Sequence, residues 1–468
     1  MTHRISREPL RWRLLLVALL SVGSLSHTAR AQPAEGDELE AYRQGVGFYQ
    51  RERYEKAAES LVKFLKAAPS HPKAENARFV LGDSQIRLGE YRTAHETFKK
   101  FIKDYPQAKR IPQARYWQGH CSFHLQDYAT AETELSAFIR DYPNDGYLEH
   151  ALAYLGDSQF KQKKLEPALA SFTQSLKKFP QGAMAGDAGY GQARAFEALK
   201  RIEEAETAYR KIADTTDHEY APDARLALGT LLFEQKKYAQ AAAEFTIYET
   251  RYPEGPQLAQ ANLNHGYSLY ELGDFAGAEG PLRRAAQLPA VATDASLWLG
   301  LTLKKQNKLR PAIEWYESAY TRHRQKPQAE QMLFQWADAL LRTGQYDDAR
   351  AKFEELLMDW PKGQLREESL NAATVCALNA GRFPESEALA QRYQGEFPQG
   401  RLRLRQTILK GRVKLLRGTA AIRAGDLAAS KSLYEEAAGL FAGVVQTSEI
   451  ESTRQQARFY WGETLLKL

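Results

Sequence analysis

Two cysteines and four methionines are all the sulfur in this 468-residue sequence. Cys121 and Cys376 are too few for the disulfide framework of a small secreted fold or for a cysteine-rich metal scaffold. The longest apolar run, Leu14 to Leu20, is too short to span a bilayer as a helix. No Gly-rich phosphate loop, H-E-x-x-H, C-x-x-C or G-x-S-x-G occurs, so the sequence offers no familiar nucleotide, zinc, dithiol or serine-hydrolase motif. Alternation of the strand type is absent over any useful length. Charge of one sign is also scarce. The net charge is +6, but residues 1–31 carry five Arg and one Glu, so the remainder holds only +2. A near-neutral surface excludes the electrostatic footprint of a nucleic-acid binder.

What is present begins with an export signal. Arg4, Arg7, Arg11 and Arg13 precede the apolar run, and Ala29-Arg30-Ala31 follows it. A charged segment, a short apolar segment and a small-residue site together predict a secretory signal peptide over residues 1–31, cleaved after Ala31. The mature chain then starts at Gln32, in a periplasmic or secreted location. No cysteine near the cut provides a lipid anchor, and Trp12 interrupts a twin-arginine pair. Cys121 and Cys376 stand two residues after equivalent positions, Gly119 and Thr374, in a slot that elsewhere holds Ser84, Ser158 and Ser268. The slot wants a small, partly buried side chain, and six repeats separate the two thiols. Both are expected to be free.

The dominant signal is a repeat. Phe79-x-x-Gly82, Tyr91-x-x-Ala94, Phe98, Phe101 and Tyr105-Pro106 return 37 residues later as Tyr116-x-x-Gly119, Tyr128-x-x-Ala131, Leu135, Phe138 and Tyr142-Pro143. Self-similarity at such a period means stacked supersecondary units. The same slots recur from Gly45, Tyr54, Ala57, Leu61 and Pro69 to Gly156, Leu165, Ala168, Phe172 and Pro180. A degenerate copy follows, with Ala193 for the glycine, and then copies at Gly229, Gly266, Gly300 and Ala337. A tenth is marked by Phe383, Ser386 and Pro398, and an eleventh by Gly418, Leu427 and Tyr434 after a longer basic connection, Arg401 to Arg412. A last helix, Ser452 to Leu468, contains Gly462 and reads as half a repeat serving as a cap.

Each slot has a physical reason. Gly or Ala at position 8 and Ala at position 20 let two helices approach closely, and the residues at positions 17 and 24 fill the space between them. A proline soon after the second helix stops it, because proline cannot continue the hydrogen-bond ladder. This pattern resembles the tetratricopeptide (TPR) helix pair. The resemblance implies an all-α, right-handed superhelical solenoid of about eleven helix pairs plus a C-terminal capping helix. It divides the chain into a signal peptide (1–31), about ten repeats (32–400) and C-terminal TPR-like helices with a cap (401–468). The usual period is about 34; here it is mostly 37, and the extra residues are expected in the loop after the proline.

The phrase Phe-Ile-x-Asp-Tyr-Pro followed by Ala-x-Tyr-x-x-Gly resembles the periplasmic TPR proteins of the Gram-negative envelope. These are the Tol-Pal coordination (YbgF/CpoB) and outer-membrane-assembly lipoprotein (BamD) types. The resemblance is most specific over Glu38 to Pro180 and returns at Arg225 to Pro253. It implies a non-enzymatic scaffold, without cofactor, that binds an envelope protein or extended peptide and reaches the outer membrane only through partners. A scaffold for polysaccharide or cell-wall export is the alternative. An accessory subunit of a cell-wall hydrolase is a weaker third, since no unclaimed segment is long enough for a catalytic domain.

In a TPR solenoid, positions 2, 5, 9, 12 and 13 of each first helix line the concave groove. Aromatics there give Tyr42, Tyr49, Phe79, Tyr116, Phe123, Phe160, Tyr190, Phe233, Tyr267, Tyr270 and Phe334. Large rings with few rotamers suit a peptide-binding groove, and they suit the packing of adjacent helices equally. His120 and His124, four apart on one helix face, are joined by His150 from the next repeat. Three imidazoles could bind zinc or copper or form a pH-sensitive patch, but no carboxylate or cysteine completes a ligand set, and no metal is expected. The Lys/Asn clamp of some cytosolic TPR proteins is missing, because Asp83, Asp157 and Asp338 fill position 9. Acidic pairs such as Asp347-Asp348 and Glu354-Glu355 fall on solvated helix faces rather than forming a catalytic dyad.

Overall fold

The computed structural model describes residues 36–215 and 219–468. The expected signal peptide, 1–31, lies outside the described residues. Among the described residues there are 23 α-helices and no strand. The chain forms two compact units, one through Tyr154 and one from Leu155.

In the first unit, helices pair as α1 (Asp37–Gln50) with α2 (Tyr54–Ala67), α3 (Ala74–Arg87) with α4 (Tyr91–Asp104), and α5 (Ile111–His124) with α6 (Tyr128–Asp141). Helix α7 is Leu148–Lys161. The second unit continues with α8 (Leu165–Lys178), α9 (Ala185–Ala198), α10 (Ile202–Ala213), α11 (Ala221–Glu234) and α12 (Tyr238–Arg251). Then come α13 (Leu258–Leu272), α14 (Phe275–Ala285), α15 (Ala292–Lys305), α16 (Leu309–His323), α17 (Ala329–Arg342) and α18 (Tyr346–Asp359). The C-terminal part holds α19 (Arg366–Asn379), α20 (Phe383–Glu396), α21 (Arg403–Arg423), α22 (Leu427–Thr447) and α23 (Glu451–Lys467). Odd-numbered helices are the first of each pair and are called A helices below; even-numbered ones are B helices.

The small-residue slots hold the pairs together as expected. Ala57, Ala94, Ala131, Ala241 and Ala312 are all fully buried in B helices. Opposite them, a Cβ at Gly82 would stand 2.7 Å from the Phe98 ring, and one at Gly300 would stand 2.2 Å from Tyr316. The large residue therefore occupies the volume that the glycine vacates. Each such Phe, Leu or Tyr contributes about 1.5–3 kcal/mol through burial. The chain reverses between helices of a pair at one left-handed residue, always seven after position 8. Gly89, Gly273 and Gly344 serve there, and Gln126, Lys163 and Lys236 adopt the same positive φ.

Two sequence expectations are corrected. In the one repeat of 34 residues, the B helix α14 has 11 residues, whereas α4 and α6 have 14. The connections on either side of the comparison, 286–291 and 105–110, are equally long. The extra residues of the 37-residue repeat thus form most of another B-helix turn instead of a longer loop. That turn is worth making because it buries Phe101 completely, with its ring 5.5 Å from Phe79.

The second correction is the basic connection, Arg401 to Arg412. Its residues from Arg403 onward are helix α21, which like α22 is 21 residues long. The reason lies in two glycines one heptad apart. Gly418 faces Tyr434 and Gly411 faces Phe441, so the antiparallel pair repeats its closest contact two turns further on. Ile408, Leu409 and Val413 bury the apolar side of the basic segment, while its arginines project from the other.

Both cysteines are free and fully buried. Burial pushes the Cys376 thiol up to about 12 and raises that of Cys121 as well, so neither is a ready nucleophile. No helix of the described residues is long and apolar enough to cross a membrane.

Candidate partner-binding face

The A helices carry the residues that the B helices do not fully cover. In the first unit these converge on an aromatic and imidazole cluster in α5 and α7. The Nε2 atoms of His120 and His124 lie 3.0 Å apart in a hydrogen bond whose donor depends on the tautomers. Tyr91 stacks flat on His124, with ring centroids 4.4 Å apart and an interplanar angle of 10°. Tyr154 meets His120 edge-on at 5.0 Å and Phe123 at 4.9 Å. Tyr116 is stacked on Tyr147 at 4.5 Å, and His150 lies edge-on to both.

Exposure divides these residues. Tyr116 and His120 are 2 % and 5 % exposed and Phe79 is 9 % exposed, so they pack the interior of the unit. Phe123, His124, Tyr42 and Tyr49 remain half-buried at the surface. Tyr49 donates a short hydrogen bond to the Asp83 carboxylate, and burial together with that carboxylate raises its pKa. The Tyr42 hydroxyl accepts from Asn76 at 2.8 Å.

Burial drives the imidazole chemistry. The pKa of His124 is lowered to about 4 by loss of solvation. His120 lies well below the ordinary value, first from burial and then from the charges that His124 and His150 would carry. The His120 Nδ1 has no hydrogen-bond partner. Among the described residues no three His, Cys, Asp or Glu side chains converge as metal ligands. His120 and His124 are a hydrogen-bonded pair with ring planes tilted by 54°, and His150 is a neighbour facing tyrosines.

In the second unit the sequence-predicted aromatics form separate patches. Phe160 lies under the Arg194 guanidinium at 4.4 Å, and Tyr190 stacks on Tyr220 at 5.2 Å. Phe233 contacts Tyr238, and Tyr270 contacts Phe275, at 5.3 and 5.2 Å. Phe334 meets Phe353 at 5.5 Å. All of the predicted members are half-buried. A rule emerges at position 12. Tyr49, Phe123, Phe233 and Tyr270 each touch the first residue of their own B helix, Tyr54, Tyr128, Tyr238 and Phe275. Each ring thus locks the turn, and part of it stays exposed.

Sequence reasoning missed two elements. Position 6 also carries aromatics that tile onto the preceding A helix. Tyr154 covers His120, Phe123 and His124, and Trp298 covers Tyr267 and Tyr270 at 4.8 and 5.0 Å. The signal was a large ring two residues before the glycine. Position 2 is the other element. Asp187, Asp223 and Asp294 accept hydrogen bonds from Tyr220, Gln257 and Gln328 just before the next A helix, at 2.8, 2.6 and 2.7 Å. These carboxylates are used between repeats.

Paired helices of fixed length, stacked through small-residue contacts and presenting a face of partly exposed rings, define a helical-repeat array of the protein-binding class. Residues 79–146, 154–219, 213–256, 263–330 and 334–401 match the tetratricopeptide repeat family, and the chain belongs to it. Proteins of this family bind protein partners and are generally not catalysts. Among solved structures, the chain is similar to a tetratricopeptide repeat protein from Parabacteroides merdae, at 16% identity and a TM-score of 0.40. That match covers 57% of this chain and 98% of the other. It is also similar to MamA of MSR-1 (19% identity, 37% and 93% covered, TM-score 0.32). The APC/C hetero-tetramer Cut9–Hcn1 is a third (13% identity, 92% and 97% covered, TM-score 0.33). No curated protein matches the chain.

Proposed function

We propose that this chain is an exported, non-enzymatic scaffold of the bacterial cell envelope. It binds extended segments of envelope proteins on the A-helix faces and serves outer-membrane assembly or maintenance. One observation carries the binding half. The position-12 rings Tyr49, Phe123, Phe233 and Tyr270 are each held by the first residue of their own B helix, Phe123 and Tyr270 also by Tyr154 and Trp298, and part of every ring stays exposed. A ring fixed in this way offers contact area with little rotamer entropy left to lose on binding. The export half rests on the charged, apolar and Ala-x-Ala segments of residues 1–31. The envelope assignment rests on the resemblance of Glu38 to Pro180 to the periplasmic TPR proteins.

The test is a crosslinking pull-down of residues 32–468 from an envelope fraction, alongside Phe123→Ala and Tyr270→Ala, one in each unit. Each truncation removes a partly exposed ring and leaves helicity unchanged, and partner recovery falls about tenfold in at least one variant. Equal recovery by all three proteins would remove the rings from recognition. Cell fractionation checks export. A chain found in the cytoplasm with residues 1–31 still attached sinks the envelope assignment.

A further inference from the structure

In three places the residue at position 12 of one A helix reaches position 9 of the next, 34 residues on. Tyr49 donates to Asp83, and Lys304 Nζ donates to Asp338 at 2.6 Å. Between α7 and α9 the pair is Phe160 and Arg194, with the guanidinium 4.4 Å from the ring centroid. A phenyl ring offers no lone pair, so Arg194 is held by its flat face alone. Its N–H groups form no hydrogen bond or ion pair with any described residue.

Two more polar groups beside it are equally uncommitted. Asp157 stands one turn before Phe160 on the same face of α7. Tyr190 stands one turn before Arg194 on α9, its ring 5.9 Å from the guanidinium. Neither the Asp157 carboxyl nor the Tyr190 hydroxyl bonds to a described residue. The carboxylates around them are taken: Asp187 accepts from Tyr220 at 2.8 Å and Glu197 from Tyr209 at 2.6 Å. Asp157, Phe160, Tyr190 and Arg194 all belong to the second unit, and all are half-buried. Loss of solvation pushes the Asp157 carboxyl up to about 7; Asp187 adds to the rise, while Arg194 and Lys161 oppose it.

Asp157 and Arg194 are near enough to feel each other's charge and yet are not joined. Such a pair selects among ligands. An anion satisfies Arg194 but faces the Asp157 carboxylate, and a cation satisfies Asp157 but faces the guanidinium. A neutral group with an N–H and a C=O on one edge satisfies both. We propose that Asp157 and Arg194 clamp an amide of the bound segment, its N–H donating to Asp157 and its C=O accepting from Arg194. This rests on the extended-segment reading above and adds one defined contact to it. The planar guanidinium, fixed on Phe160, presents its donors in a set direction, so little freedom is lost on binding. The amide belongs to the main chain of the segment or to an asparagine or glutamine side chain, and the chemistry is the same.

The probes are fluorescein-labelled heptapeptides, Thr-Phe-Thr-X-Thr-Phe-Thr, with Asn, Leu or Asp at X, and the Leu peptide N-methylated at X. The anisotropy of the Asn probe rises saturably with chain 32–468. Arg194→Met and Asp157→Ala each weaken that binding at least about tenfold and leave helicity and Tm unchanged, since neither side chain has a hydrogen-bond partner to lose. Arg194→Lys keeps the charge but not the flat fork, and it weakens binding too, should Arg194→Met disturb α9. A main-chain amide is shown by equal binding of the Asn and Leu probes and loss on N-methylation; a side-chain amide is shown by loss with Leu. No saturable binding of any probe, equal binding by wild type and all three variants, or tighter binding of the Asp probe than the Asn probe overturns the clamp. An envelope partner lost with Phe123→Ala or Tyr270→Ala but retained by Arg194→Met and Asp157→Ala also overturns it, and leaves the scaffold reading standing.

Discussion

The same A-helix face carries opposite chemistry in two places. On α5, positions 9 and 13 are His120 and His124, stacked among Tyr91, Phe123 and Tyr154 with no carboxylate bonded to either ring. Between α15 and α17 the face is ionic. Lys304 Nζ donates to Asp338 at 2.6 Å and to the Gln335 side chain at 2.5 Å, and Arg342 reaches Asp338 at 2.9 Å. Burial lowers the pKa of Lys304, and Asp338 works against that fall. One face is thus held by rings that must stay neutral, the other by charges that must stay paired. Both are tolerated because the fold rests on positions 8, 20 and 24 of each repeat, not on the face. The repeat supplies the geometry, and the face is free to differ from partner to partner.

The largest effect should come from breaking what the two regions share. Gly300→Val drives a side chain into the fully buried Tyr316 ring and is expected to cost about 3 kcal/mol or more, read from urea unfolding. The equivalent change at Gly119 disturbs Leu135 in the same way, so both faces lose their support.

Acid should then separate the two regions. In the fold, His120 and His124 stay neutral, while an unfolded histidine takes a proton near 6.5. As pH falls from about 6.5 the unfolded chain gains protons that the folded one refuses, so stability drops until the folded groups also titrate. For His124, with a folded value of about 4, the loss is on the order of 3 kcal/mol. His95 has the other sign. The Glu134 carboxylate 2.9 Å away raises its pKa, so its contribution is complete below the unfolded value and disappears as pH rises through the folded one. It therefore does not cancel the acid loss. Hydrogen exchange of α5 amides at pH 7 and pH 5, corrected for intrinsic rate, should show α5 loosening while α17 holds. A His124→Gln variant should flatten that dependence.

The ionic face gives the smallest effect. Lys304→Met leaves the partly exposed Asp338 without its lysine and is expected to cost about 2 kcal/mol, less than a fully buried pair would. Adding Asp338→Leu should recover most of it. Failure of the double variant to recover would show that Gln335 and Arg342 depend on the carboxylate as much as Lys304 does.

Much of this was open to reading from residues alone. Gly82, Ala94 and Phe98 recur with their spacing, and a period set by steric contact survives any change of surface. The candidate face was only half legible. Tyr116 and Phe123 look alike as aromatics at positions 5 and 12, yet Tyr147 covers one and leaves the other half-exposed. Tyr147 stands in a connection, outside the repeat's marked slots. The position-2 ladder was hidden for a similar reason: Asp223 and Gln257 sit in different repeats, and only stacking makes them partners.

The sequence by itself determined the number and register of the helix pairs, their small-residue contacts and the free state of both thiols, because each follows from spacing along one chain. Tertiary structure decided that the extra residues of the 37-residue period lengthen the B helix, and that the basic segment before Gly418 is helical. It also decided which rings stay partly exposed. Those outcomes depend on what lies across from a residue: Phe79 over Phe101, and Phe441 over Gly411. Local pattern states what a helix can bury, and only its neighbours state what it does bury.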